Sequence, residues 1–292
     1  MRYLKLFLDF IFNSILNLKL IKIIHSEDYK HFKSFKKNEN QLTSDQRFLF
    51  ENGYLLIENF FGEEEVDQFN KNINFENKKR NCNVSNIVIE KGSLLEKFLG
   101  NSKINSLLRS YLGNQAQLDF LEINRLTSNP ERKSVSEKWH YDCVGRRIKI
   151  FIFLNSCNSI YTDYVKSTNL NKHLSYTTGG SRRTDKFIKK KYKNIFSAKP
   201  KKGSIFIFDT NGYHQGSYRN STQIEKRDTI QLEFSNFEKS KKLLNLGIDS
   251  IGIRDIFFDK NFNFSDTLVN KGCLVYFKEK NFYAYDYKFA KF

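Results

Sequence analysis

The sequence predicts a mainly β protein with flanking helices, an α+β chain built on a double-stranded β-helix, the jelly roll of cupin-like folds. Three observations predict it. Helix patterns come first, and strand patterns take over from Leu118 onward. Two apolar strand-type runs, residues 147–154 and 202–209, each sit beside a histidine motif. The chain has 292 residues, 39% of them hydrophobic, which suits one large β domain with helical decoration and at most two domains.

The elements follow in order. Residues 1–24 are apolar with interspersed lysines and read as an amphipathic helix. Its uncharged run, residues 10–18, is too short to cross a bilayer. Packing on the domain and lying on a membrane interface are both open. No small-x-small cleavage site marks a secretory signal. Residues 25–45 are polar and lysine-rich and read as a connector. Thr43-Ser44-Asp45-Gln46 starts a helix with a capping residue, and Gly53 ends it. Tyr54-Leu55-Leu56-Ile57 reads as a short strand. Glu63, Glu64 and Glu65 place acids in the first turn of the next helix, as the dipole prefers. A further helix covers residues 104–112. Residues 118–126 begin the β region, residues 155–200 read as an insertion of loop and helix, and residues 273–285 read as a hairpin. Three segments result: 1–40, an N-terminal helix and connector; 41–240, the β-helix domain; and 241–292, a β-rich extension packed on that domain.

The chemistry-bearing stretch is Trp139-His140-Tyr141-Asp142, answered by Gly212-Tyr213-His214. Side chains alternate along a strand, so His140 and Asp142 point the same way. Two imidazoles and one carboxylate are the donor set of non-heme Fe(II) oxygenases, with the opposite face of the metal left open. His-x-Asp alone is weak; the strand on each side raises it, because a sheet holds ligands in register. The bland alternative is two core histidines. Arg227 opens the next strand, and its fork of donors suits a carboxylate. Together these predict Fe(II), a co-substrate bearing a carboxylate, and dioxygen. Arg219 is a weaker candidate for the same role, being placed in a turn. Trp139 and Tyr213 read as core in preference to lining the site, Lys149 as a snorkelling surface lysine in preference to one facing the pocket, His173 as having no metal role, and His25 and His31 as solvent-facing.

The formal net charge is +17. Biased composition is the leading explanation; the others are a basic surface for anionic partners such as membrane, nucleic acid or acidic metabolites, and a funnel for an anionic substrate, since lysines crowd residues 186–202 between the two histidine segments. No nucleic-acid signature accompanies the charge, so no nucleic-acid partner is expected. The 4 cysteines lack metal or disulfide spacing, which points to a reducing compartment: cytoplasmic, with peripheral membrane contact through residues 1–24 as a possibility.

On these residues the chain resembles the phytanoyl-CoA dioxygenase family of Fe(II)/2-oxoglutarate-dependent oxygenases. Residues 51–61 followed by 63–66 look like the family's entry segment, Trp139-His140-Tyr141-Asp142 like its first ligand pair, and residues 203–209 leading to His214-Gln215-Gly216 like its second ligand strand. Arg227, 13 residues past His214, falls close to the family's 2-oxoglutarate arginine. The likeness covers roughly residues 45–236. Tyr161-Thr162-Asp163-Tyr164-Val165 and Gly216 depart from the family pattern, which leaves the substrate open. The resemblance implies that His140, Asp142 and His214 bind Fe(II) and act catalytically, and that Arg227 holds 2-oxoglutarate. Related halogenases lack the carboxylate ligand; Asp142 is present, so the implied reaction is hydroxylation of a C–H bond in a small-molecule or lipid-linked substrate, releasing succinate and carbon dioxide. The alternative is a non-catalytic jelly-roll binding protein that retains the metal-site residues.

Overall fold

The computed structural model describes residues 2–37, 39–71, 73, 81–84, 88–89, 92–113, 116–128, 138–142, 144–176, 181–218, 225–244, 246 and 257–258. Helix α1 (Arg2–Lys37) and helix α2 (Ser44–Asn52) precede strand β1 (Tyr54–Ile57), helix α3 (Glu63–Lys71) and strands β2 (Asn81–Val84) and β3 (Val88–Ile89). Helices α4 (Leu94–Leu99) and α5 (Ser102–Leu112) lead into β4 (Ala116–Thr127), β5 (Trp139–His140), β6 (Ile148–Phe153) and β7 (Ile160–Val165). Then come β8 (Arg182–Arg183), α6 (Asp185–Lys191), β9 (Ile195–Ala198), β10 (Ile205–Asp209), β11 (His214–Tyr218), β12 (Lys226–Asn236), α7 (Phe237–Leu244) and β13 (Phe257–Phe258).

Two sheets form the body. One runs β1-β10-β6-β12-β4-β2 and the other β8-β5-β11-β7-β9. Every pairing within these two sheets is antiparallel. Between β4 and β12 the core strands cross from one sheet to the other, except at the step from β7 to β9. That winding is the double-stranded β-helix the sequence predicts. The side chains between the sheets and the helices explain its closure. Ile148, Ile150 and Ile152 on β6, Ile205 and Ile207 on β10, and Ile230 and Leu232 on β12 face α4 and α5 in one buried cluster. The alternate residues, Phe151, Phe153, Phe206 and Phe208, face the barrel interior in a second cluster. Both faces of these strands are buried, so their sequences are almost unbroken in apolar residues.

The caps follow the sequence signals. Thr43 and Gln46 form a reciprocal capping box at α2, and Gly53 closes that helix at φ 81°, a conformation glycine adopts without penalty. Gly53 cannot be replaced for a second reason: a Cβ there would lie 2.4 Å from the Tyr164 hydroxyl oxygen.

Two expectations are corrected. The connector expected at residues 25–45 is helix as far as Lys37, because α1 runs through it unbroken. The stretch has no Pro or Gly to stop it, and it pays its way with one buried side: Leu20, Ile24 and Phe35 enter the core, and Glu27 is held by Lys30 and Lys242. The expected insertion at 155–200 contains β7 and β9, two strands of the barrel itself. Among the described residues no helix is long and apolar enough to cross a membrane. The hairpin expected at residues 273–285 lies outside the described residues.

Candidate metal centre

His140 on β5 and His214 on β11 are direct cross-strand partners. Directly opposed residues project to the same face of a sheet, so the pairing brings the two imidazoles together, with ring centroids 4.3 Å apart. Asp142 lies two residues beyond His140, past the end of the strand rather than on it. Its backbone N–H donates to the Thr210 carbonyl at 2.9 Å, which ties it to the turn leading into β11. Asp142 Oδ1 lies 3.7 Å from His140 Nε2 and 3.6 Å from His214 Nε2. All three ligand atoms fall within 4.8 Å of one another. Bonds of ~2.0–2.2 Å at right angles would need separations of about 3 Å, so a small inward shift suffices to close the set on one ion.

The protonation state fits a metal. His214 Nδ1 lies 3.0 Å from the Gly212 carbonyl and His140 Nδ1 lies 2.7 Å from the Lys138 carbonyl. A carbonyl only accepts, so each Nδ1 carries the hydrogen and each Nε2 keeps its lone pair. Burial, with His140 beside it, pushes His214 down to about 3, and burial also lowers His140. Both rings are therefore neutral donors at physiological pH. His214 Nε2 is buried with no hydrogen-bond partner. A buried lone pair left unmet costs free energy, and an ion among the three residues would satisfy it.

Behind Asp142 lies a charge network that sequence reasoning missed. Arg147 donates from Nη2 to Asp142 Oδ2 at 2.6 Å and pairs through Nη1 with Glu233 at 2.6 Å. Lys149 Nζ stands 3.5 Å from Asp142 and 3.1 Å from Glu233. Burial alone would raise the Asp142 pKa; Lys149 and Arg147 more than offset it and hold the carboxyl well below its usual range. With Oδ2 occupied by Arg147, Oδ1 is the oxygen facing the histidines. The expectation of a surface role for Lys149 is thus wrong. Its signal was legible: Lys149 is the single charge in the otherwise apolar β6, and Glu233 on β12 is its cross-strand partner.

Arg227 is buried near the start of β12. Its Nη1 donates to Thr162 Oγ1 at 3.2 Å, and its guanidinium carbon lies 5.4 Å from the centre of the Phe151 ring. Burial lowers its pKa to about 10. Among the described residues no carboxylate pairs with it, and its Nε has no partner. Arg227, Thr162, Phe151, Lys149, His140 and His214 line one cavity of about 180 Å³. That is smaller than the ~300–1,000 Å³ of sites for drug-sized ligands and suits a small acid.

The other candidates separate. Trp139 and Tyr213 are buried core residues, as expected. His173 takes no part in the cluster: its ring stacks on Tyr141 at 3.4 Å, and its Nε2 donates to the Asn211 carbonyl at 2.8 Å. His25 does not face solvent as expected; α1 packs it edge-on against Tyr176, with ring centres 5.8 Å apart. Arg219 and the His31 side chain lie outside the described residues. The lysines of α6 are exposed on the surface.

The fold and the cluster together define a jelly-roll protein with a two-histidine, one-carboxylate centre. No known family pattern matches the chain, and no characterised protein matches it in sequence. Solved structures similar to it include the epimerase SnoN from nogalamycin biosynthesis, described as non-heme and alpha-ketoglutarate-dependent. It is 11% identical, with 66% of this chain and 82% of that one covered at a TM-score of 0.47. EctD from S. alaskensis with bound Fe is 13% identical, with 68% and 78% covered at 0.48. HygX from Streptomyces hygroscopicus with nickel and 2-oxoglutarate is 14% identical, with 67% and 88% covered at 0.43. Likenesses this distant leave the chemistry to this chain's own residues.

Proposed function

We propose that the protein is an Fe(II)- and 2-oxoglutarate-dependent dioxygenase that hydroxylates a C–H bond of a small-molecule or lipid-linked substrate. The observation that carries this is the coexistence, in one small cavity, of two unmet needs. Among the described residues, His214 Nε2 is a buried lone pair without a donor, and Arg227 is a buried cation with no carboxylate beside it. A divalent ion answers the first and a carboxylate the second. A 2-oxo dicarboxylic acid spans both, chelating the ion at one end and meeting a guanidinium at the other.

Bound Fe(II), with 2-oxoglutarate and dioxygen, supplies the oxidant for C–H hydroxylation, with succinate and carbon dioxide released. The chain's residues prepare the place for it. His140, Asp142 and His214 would hold the ion. Lys149 and Arg147 keep Asp142 ionised, and Arg147 occupies its second oxygen. Arg227 and Thr162 hold the distal carboxylate. Phe151 and Phe208, which also line the cavity, exclude water and strengthen the charge pairing. Asp142 favours hydroxylation over halogenation, because it fills the position a halide would need.

The test is anaerobic titration of metal-free protein with Fe(II) and 2-oxoglutarate, followed through the weak visible charge-transfer band of the chelate. The band should form in the wild type, vanish in His214→Ala and weaken in Arg227→Ala. A wild type that forms no band and retains no iron sinks the proposal.

A further inference from the structure

The outer side of α1 carries a row of exposed lysines. Lys19, Lys22, Lys30, Lys33 and Lys36 are all exposed, at spacings of three and eight residues that place them along one side of a helix. Lys36 pairs with Glu39 at 3.2 Å, and among the described residues no carboxylate pairs with Lys19, Lys22 or Lys33. Of the two acids in this stretch, Glu27 is buried and held by Lys30 and Lys242. Asp28 turns inward, accepting from the Arg146 backbone N–H at 3.1 Å and from Lys239 at 2.9 Å.

Large apolar residues stand among these lysines. Leu18 is 65% exposed, Tyr29 57% and Ile15 49%. The patch continues onto a second segment. Asn17 donates to the Leu174 carbonyl at 3.3 Å and accepts from the Tyr176 backbone N–H at 3.0 Å, which docks that loop beside α1. Leu174 is 86% exposed there, the most exposed large apolar residue described. Single exposed leucines need no explanation, but a row of lysines interspersed with Ile15, Leu18 and Tyr29, with Leu174 exposed on the loop docked at Asn17, does.

We propose that α1 and the Leu174 loop form a peripheral docking surface for anionic lipid bilayers. The lysines meet the headgroups, and Leu18 and Leu174 enter the boundary between headgroups and acyl chains. Charge complementarity selects the anionic surface. The apolar tips select a bilayer over nucleic acid, whose phosphates would leave leucines in water. The proposal is independent of the metal centre.

The experiment uses the full chain and sedimentation with vesicles of phosphatidylcholine alone or with 30% phosphatidylserine. Two variants accompany it: Lys19→Glu/Lys22→Glu/Lys33→Glu and Leu18→Asp/Leu174→Asp. All five positions are exposed, and a thermal melt checks that each variant folds. A basic residue near an anionic surface is worth roughly fivefold in affinity, so the triple reversal should weaken binding about a hundredfold or more. The double variant should weaken it at least tenfold, and wild-type binding should fall at high salt. The proposal is overturned if the wild type does not prefer the anionic vesicles, or if either folded variant binds like wild type. It is equally overturned if a DNA duplex displaces the vesicles and binds the double variant normally, or if the patch proves to be a contact between two copies that both variants dissolve.

Discussion

Replacing Arg227 by Met should leave the metal-free protein no less stable while crippling its hold on 2-oxoglutarate. The magnitudes come from the site. Burial lowers the Arg227 pKa to about 10, which corresponds to on the order of 3 kcal/mol against the charged form. Two contacts offset this. The Thr162 hydrogen bond contributes about 0.5–1.5 kcal/mol, and the guanidinium over Phe151 contributes about 0.5–2 kcal/mol. Methionine keeps much of the apolar stem and adapts to the gap. The sum predicts a change near zero, up to about 2 kcal/mol in favour of the variant. Binding should move the opposite way. Losing one partner of a buried charge pair costs about 2–5 kcal/mol, so affinity for 2-oxoglutarate should fall from about 30-fold to several thousand-fold. Urea unfolding of the metal-free protein measures the first quantity, and titration of the chelate band measures the second. The reasoning fails if Arg227→Met loses several kcal/mol of stability yet binds 2-oxoglutarate as the wild type does. Arg227 would then be a structural residue.

Two further outcomes are expected. Burial holds His214 at about 3 and His173 at about 4, and lowers His140. The unfolded chain takes up these protons near pH ~6.5 and the folded chain refuses them, so stability should fall as pH drops from about 6.5 toward 4. Asp209, raised by burial to about 6, works in the opposite sense, because the folded chain protonates it first. The balance is up to about two protons, at most roughly 2–3 kcal/mol per pH unit; urea midpoints for the metal-free protein that stay flat between pH 7.5 and 5 would contradict the buried neutral rings. In the second case, Gly212→Ala should disturb the turn that carries His214. A Cβ there would lie 1.9 Å from the Tyr164 hydroxyl oxygen, which is itself fixed at 2.9 Å from the Asp209 carbonyl. Overpacking of this kind costs about 1–3 kcal/mol, and iron affinity should drop at least tenfold. Gly62→Ala, with nothing within 4 Å, is the matched control and should be silent in both assays.

What the sequence settled by itself was local. The capping box at Thr43 and Gln46, the acids opening α3 and the apolar runs of β6 and β10 act over a few residues, so their signals lie in adjacent letters. The identity of the ligands was legible too, since a His-x-Asp beside a strand and a later histidine after a strand are a donor set before any fold is known. The rest depended on contacts between distant segments. β7 carries its own signal, Ile160 with Tyr161, Thr162, Tyr164 and Val165, but nothing local says that it completes a barrel; its pairing with β11 does. Polarity beyond His25 suggested a connector, whereas α1 continues because its inner side is buried by elements far away in the chain. Only the tertiary structure placed Lys149 and Arg147 on Asp142, opposed His140 to His214, and buried Arg227 with no carboxylate beside it among the described residues. Register, burial and counter-charge are properties of pairs of segments, and no single stretch of sequence contains them.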